Sequence, residues 1–231
     1  MATLGCAKKT SGSLVLFCNP DSDSQGNGME FQLTYEGLLW ACNRDTHVNH
    51  KHEIRKHFHP QLKRLWMDEP RLRVKKYPWP SPKEAAEREG GPVGPPWPEE
   101  VSKLFPCGAY NFVPLVMNGI DLLCGLNILW LRPEEPGALI QSGDIDNRLK
   151  TLFDALRMPT SDQFGKYKEP DADEVPFHCL LEDDKLISRL EVETGLLLQP
   201  TVEPPNPNDT RLIIKVKLQP RHLNWVNKDF A

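Results

Sequence analysis

Ile120-Asp121-Leu122-Leu123-Cys124-Gly125-Leu126-Asn127-Ile128-Leu129-Trp130-Leu131 is the stretch on which the fold turns. In an extended chain successive side chains point to opposite sides, so Leu122, Cys124, Leu126, Ile128 and Trp130 share one face. Leu123, Leu129 and Leu131 make the other face apolar as well, which predicts a central strand. After a loop over Gly137–Gly143, the segment Asn147–Arg157 places Leu149, Leu152, Phe153 and Leu156 at i, i+3, i+4 and i+7, the stripe of a helix.

Working outward, Glu30–Tyr35 alternates Phe31, Leu33 and Tyr35 as a half-buried strand does. Thr46 can cap a following helix. Ile54, Phe58, Leu62, Leu65 and Trp66 then form an apolar stripe, interrupted by Pro60, which predicts a kink or two short helices. Leu186–Glu193 predicts a strand with Leu186, Ser188, Leu190 and Val192 inward. A closing strand over Leu212–Leu218 turns Ile214, Val216 and Leu218 inward and Lys215 and Lys217 outward. The fold class is α/β (α+β), a mixed β-sheet flanked by helices. Residues 1–28 read as a flexible arm and 29–231 as one domain, with insertions at about 77–100 and 158–178. The first insertion holds seven prolines and three glycines and reads as a polyproline-like excursion with one turn of helix at Lys83–Glu89. The second carries Pro159, Gly165, Pro170 and Pro176 and reads as a long loop, and a further proline-rich loop spans Gln199–Asn208.

Composition excludes several classes. Hydrophobic residues make up 39% and charged residues 26% of the 231 residues, which suits a packed globule. No apolar run reaches the 18 or so residues of a membrane helix, and Leu14–Cys18 is too short for a secretory signal. Six cysteines without a C-x-x-C pair read as reduced thiols and a cytoplasmic protein. The net charge of −4 argues against a nucleic-acid binder until its distribution is seen. Arg44–Lys76 holds ten Lys/Arg against four Asp/Glu, and five of the seven histidines (His47, His50, His52, His57, His59). Glu169–Glu193 holds nine acidic residues against two basic ones. That segregation fits separate surfaces with separate tasks, and equally two solvated faces. The histidines lack the ligand spacing of a zinc site and read as a basic, partly titrating surface. Trp66 and Trp130 fall on apolar stripes and read as core, whereas Trp79 and Trp97 pin a proline-rich loop.

Chemistry is carried by Gly143-Asp144-Ile145-Asp146-Asn147-Arg148-Leu149-Lys150. Asp144 and Asp146 can converge on one cation, and Lys150 lies one turn on from Asp146. An ordinary helix start, with Asp as the cap, uses the same residues. A second acidic element, Glu182-Asp183-Asp184, precedes a strand. Several converging carboxylates repel unless hard cations sit between them, and an all-oxygen set suits Mg²⁺ or Mn²⁺.

Asp144-x-Asp146-Asn147-x-x-Lys150, followed by Phe153-Asp154-Ala155-Leu156 and by Asp183-Asp184 ahead of an alternating strand, resembles the RusA family of Holliday junction resolvases. The identity is local to about 144–156 and 181–192, while the order of elements matches over about 29–220. The resemblance implies a homodimeric, Mg²⁺-dependent endonuclease that cuts four-way DNA junctions. Asp144, Asp146 and Asp184 match its metal-binding aspartates, Asp183 adjoins them, and Lys150 matches its essential lysine. Asn147 matches the motif and, with Arg148, is expected on the DNA side. Arg55, Lys56, Lys63, Arg64, Arg71, Arg73, Lys75 and Lys76 are then the expected phosphate contacts. Three features depart from the family, the first being the acidic overall charge. Asp146 and Asp184 stand farther apart in sequence, and the chain is longer.

Overall fold

The computed structural model describes residues 28–41, 48–73, 98–134, 144–160, 169–224 and 226–231. The expectations for the N-terminal arm, Thr46, His47, Lys75, Lys76, Trp79, Trp97 and the 137–143 loop lie outside them, as does the helical turn at Lys83–Glu89.

Two mixed sheets are built from seven strands. The larger has β1 (Glu30–Leu38), β4 (Leu122–Arg132), β6 (Ile187–Leu196) and β7 (Asp209–Pro220) in the order β1-β7-β4-β6. β7 runs antiparallel to β1 and β4, while β6 runs parallel to β4. The smaller sheet orders β2 (Pro106–Cys107), β3 (Tyr110–Val116) and β5 (Phe177–Leu181) as β2-β3-β5, with β3 and β5 parallel. Four helices complete the described fold: α1 (Val48–Asp68), α2 (Pro70–Arg73), α3 (Pro98–Leu104) and α4 (Asp144–Leu156).

The strand predicted as central is central, with a neighbour on each side. Cys124, Leu126, Ile128 and Trp130 of β4, with Leu212, Ile214, Val216 and Leu218 of β7, are buried. They meet the α1 stripe (Ile54, Phe58, Leu62, Leu65, Trp66) and Leu152, Ala155 and Leu156 of α4 in one core. Each large apolar side chain removed from water there contributes roughly 1.5–3 kcal/mol. Leu123, Leu129 and Leu131 on the opposite face are only partly buried.

Three expectations are corrected. α1 is a single helix running through Pro60, not two short ones. Pro60 is exposed, so its missing N–H and bulky ring fall on the solvent side while the packed stripe holds the opposite face. β6 is an edge strand, and Leu190 is 44% exposed rather than inward. Leu186 is buried, but in the single 3₁₀ turn Asp184–Leu186 that precedes the strand. Finally, β3 and β5 were not anticipated. Both are almost wholly buried, so neither shows the alternation that marks a half-buried strand. β2 pairs only with Tyr110 and Asn111, so among the described residues no strand pairs that side of β3 at Pro114, where proline has no N–H to donate. Among the described residues no helix is long and apolar enough to cross a membrane.

Candidate functional site

The D-x-D-N-x-x-K segment opens α4, but the helix begins at Asp144, so two expectations are corrected: Asp146 is a residue of the first turn rather than the cap, and the extended backbone that would set Asp144 and Asp146 on one side is replaced by helix. Asp146 and Lys150 are both well exposed and form an i,i+4 pair, Lys150 Nζ donating to Asp146 Oδ2 at 2.6 Å. The side chain of Asp144 lies outside the described residues. Asn147 gives its carbonyl to Thr151 Oγ1. Arg148 is only 5% exposed, which removes it from any phosphate-contacting surface.

Two turns further along α4, the Asp154 carboxylate is held by two cationic side chains. Lys51 Nζ donates to its Oδ2 at 2.6 Å, and Arg157 donates through Nη2 and Nε to its Oδ1 at 2.7 and 3.1 Å. Burial works against the charged form, but the bonds from Lys51 and Arg157 more than offset it and hold the carboxyl below its ordinary range. Arg55 lies in the same place and is 1% exposed. Its Nη2 donates to the Asp154 carbonyl at 2.6 Å and its Nε to the Arg157 carbonyl at 3.0 Å. It therefore satisfies carbonyls that the last turn of α4 leaves unpaired, and a cation there opposes the helix dipole. The expectation that Arg55 contacts DNA is corrected: it is a buried clamp on the helix end.

Asp183 and Asp184 follow β5. Leu181 at the end of β5 accepts from Met158 N, just beyond α4, at 2.9 Å, so the acidic pair sits at the C-terminal end of that helix. Asp183 caps the short 3₁₀ turn by accepting from Lys185 N at 2.9 Å. That backbone bond, the largest influence on it, holds its carboxyl below the ordinary range. Asp184 is shifted the other way, upward, first by burial and then by Asp183. Neighbouring carboxylates disfavour each other's charge, which adds to burial in raising Asp184. Arg157 and Asp154 are the other charges that act on Asp184.

Asp146 and Asp184 therefore occupy different ends of α4. Asp146 and Asp154 alone are separated by eight residues, roughly 12 Å along the axis. Among the described residues no group of three or more His, Cys, Asp or Glu side chains stands close enough to hold a metal ion. The Asp183–Asp184 pair still fits a hard cation, because Mg²⁺ characteristically takes one or two protein carboxylates and fills its remaining positions with water and substrate oxygens. Asp154, already neutralised by Lys51 and Arg157, is not a free ligand.

The basic stretch is largely tied to the protein itself. Lys56 Nζ lies 2.7 Å from Glu174 and 3.6 Å from Asp171. Lys63 Nζ donates to the Asp173 carbonyl at 2.9 Å. Arg64 pairs with Asp68, and Arg71 with Glu69. The side chain of Arg73 is outside the described residues. The expected histidine surface is corrected in part, since His52 and His59 are buried. His59 accepts from His178 N through Nδ1 at 2.8 Å and donates through Nε2 to the Asp173 carbonyl at 3.0 Å, which fixes a neutral ring. His52 stacks on Phe177 and meets Tyr110 edge-on. Lys51 and Arg55 occupy the same face of α1 as Phe58 and Leu62, so cations on an apolar stripe were the signal for this buried polar layer. Trp66 and Trp130 are core residues, as expected.

Comparison with protein-family models, with characterised proteins and with solved structures returns no match.

Proposed function

We propose that the chain is a divalent-metal-dependent endonuclease acting on branched DNA, with Mg²⁺ or Mn²⁺ held at Asp183 and Asp184. The observation that carries this reading is the placement of the adjacent Asp183 and Asp184 beside the C-terminal end of α4, the helix that opens with Asp144-x-Asp146-Asn147-x-x-Lys150. A bound ion would polarise a phosphate oxygen and acidify a coordinated water. Lys150 is exposed and engaged only in a surface ion pair, so it can turn to meet charge on a phosphate at little cost. Two copies acting together would suit the paired cuts that a four-way junction needs. Unpaired thiols at Cys107, Cys124 and Cys179 agree with a reducing, cytoplasmic setting. A nucleic-acid-binding or partner-binding module on the same fold is the second reading, favoured by the separation of Asp146 from Asp184.

Synthetic four-way junctions, forks and linear duplexes incubated with and without Mg²⁺ separate the two. Cleavage of the junction only with Mg²⁺, lost in Asp184→Asn, is the expected result. Calorimetric titration should show Mg²⁺ binding lost in Asp184→Asn. Cleavage that survives Asp184→Asn removes the pair from the site, and DNA binding without cleavage under any condition establishes the binding module.

A further inference from the structure

The face of the larger sheet turned away from α1 and α4 carries a groove of about 480 Å³ over Gly125. In register, Lys217 of β7 stands on one side of Gly125 and Arg189 of β6 on the other. Lys215 follows Lys217 on the same face, roughly 7 Å along the strand and opposite Asn127. All three cationic side chains are more than half exposed.

The groove is built into the sheet. A glycine inside a strand weakens it, and neither the backbone nor the surroundings call for one at Gly125. Its φ is not positive, and an added Cβ would come no closer than 3.5 Å to the Arg189 Cβ and 4.0 Å to the Lys217 carbonyl oxygen. What the missing side chain leaves is the floor of the groove, and strand glycines mark places where a ligand approaches closely. Opposite it, β6 carries one extra residue, Ser188. Without that bulge Ser188, not Arg189, would face Gly125, so the bulge is what aims the guanidinium across the floor. Ser188 Oγ donates to the Cys124 carbonyl at 3.1 Å and accepts from Gln219 Nε2 at 3.0 Å, which fixes an amide at the rim. The counter-charges are loosely held. Glu30 lies 2.8 Å from Lys215 and 3.1 Å from Lys217, and Glu191 lies 3.4 Å from Arg189, all at the surface. Exposed pairs of this kind contribute little and yield to a denser negative charge.

We propose that this groove seats the phosphodiester backbone of DNA, with Arg189 and Lys217 on either side of one phosphate and Lys215 on its neighbour. The proposal rests on the reading of DNA as the partner and adds where the DNA lies: on the sheet face, not on α1, whose described cations are engaged within the protein. Arg189 is five residues beyond Asp184, roughly 13 Å of chain through the 3₁₀ turn. A strand seated over Gly125 can thus present a nearby phosphate to the Asp183–Asp184 pair.

Fluorescence anisotropy of a labelled four-way junction in EDTA, where nothing is cut, over a range of NaCl concentrations tests it. The triple variant Arg189→Gln/Lys215→Gln/Lys217→Gln should bind about tenfold or more weakly, with the slope of log K against log salt flattened by about two to three. Lys103→Gln, an exposed charge removed from α3, should leave the slope nearly as it is. Gly125→Val fills the floor without changing charge and should weaken binding several-fold at an unchanged unfolding midpoint. Glu30→Gln frees both lysines and should tighten binding. A triple variant with wild-type affinity and slope overturns the proposal. So do Gly125→Val and Glu30→Gln chains that both bind as wild type does, or a wild-type chain that binds no DNA at low salt. The two readings fail separately. Mg²⁺-dependent cleavage with an unaffected triple variant removes this face and keeps the nuclease. Binding through this face without cleavage in any metal removes the nuclease and keeps the face.

Discussion

Removing the Asp154 carboxylate should destabilise the chain more than any surface change on α4. Lys51 is 2% exposed and Asp154 20%, and their atoms are 2.6 Å apart, with Arg157 bound to the other carboxylate oxygen. In Asp154→Ala the Lys51 ammonium remains inside without its counter-charge. Breaking a buried pair from one side costs about 3–5 kcal/mol, because desolvation of the surviving charge is no longer offset. In a chain of this size that lowers the midpoint of thermal unfolding by about 10 °C. Lys51→Met should cost less, roughly 1–2 kcal/mol, since Asp154 keeps Arg157 and some contact with water. The double variant Lys51→Met/Asp154→Leu should recover much of the loss, as apolar replacements of buried pairs often do. Urea unfolding followed by tryptophan fluorescence measures all three. A loss below about 1 kcal/mol in Asp154→Ala would show that the pair is effectively solvated. Asp154 would then be a free carboxylate beside Asp184, and the division between structural and metal-binding aspartates drawn above would fail.

Acid should weaken the fold in a window set by histidines. Burial lowers His52 to about 4 and His178 to about 3, and lowers His59 as well. The unfolded chain takes up these protons near pH 6.5 while the folded chain resists, so stability is full above about 6.5 and falls as pH drops. Each such histidine removes up to about 2 kcal/mol between pH 6.5 and 5. A thermal midpoint flat between pH 7 and 5 would contradict this, and His178→Gln should shallow the slope. The carboxylates held low (Glu30, Asp154, Glu174, Asp183) act in a separate window, their stabilisation being lost only below about pH 4.5. Gly28→Ala should cost about 1–3 kcal/mol, because an added Cβ would come within 2.5 Å of the Leu218 carbonyl oxygen of β7. Chemical denaturation checks it, and an unchanged midpoint would mean that the strand end moves freely.

What the sequence disclosed followed from periodicity. β1, β4, β7, α1 and α4 each carry a clear apolar stripe, because each buries one face more than the other. β3 and β5 are buried on all sides, and Phe177-His178-Cys179-Leu180-Leu181 has no period to find within five residues. The site was legible as a set of residue types and only partly as an arrangement. That a helix follows the D-x-D segment is legible from the stripe Leu149, Leu152, Phe153 and Leu156, whereas its start at Asp144, ahead of the expected cap Asp146, is not. That Asp184 lies at the far end of the same helix depends on how β5 passes α4, a tertiary contact made by Met158 and Leu181 that local pattern does not encode.

The charge segregation has a simpler meaning than two separate working surfaces. The basic face of α1 and the acidic stretch from Glu169 meet each other: Lys56 takes Glu174 and Asp171, Lys63 takes the Asp173 carbonyl, and His59 bridges Asp173 to His178. A local excess of positive charge and a local excess of negative charge are thus, in good part, two sides of one internal contact. It follows that the described part of Arg44–Lys76 offers little free charge to a phosphate backbone, and a nuclease built on this fold must find its cations elsewhere. The open face of the larger sheet offers one group of exposed cations. Arg189, Lys215 and Lys217 surround a shallow groove of about 480 Å³ floored by Gly125, with Asn127 and Gln219 beside them. Glu30 and Glu191 neutralise them only through surface ion pairs, which a polyanion can displace at little cost.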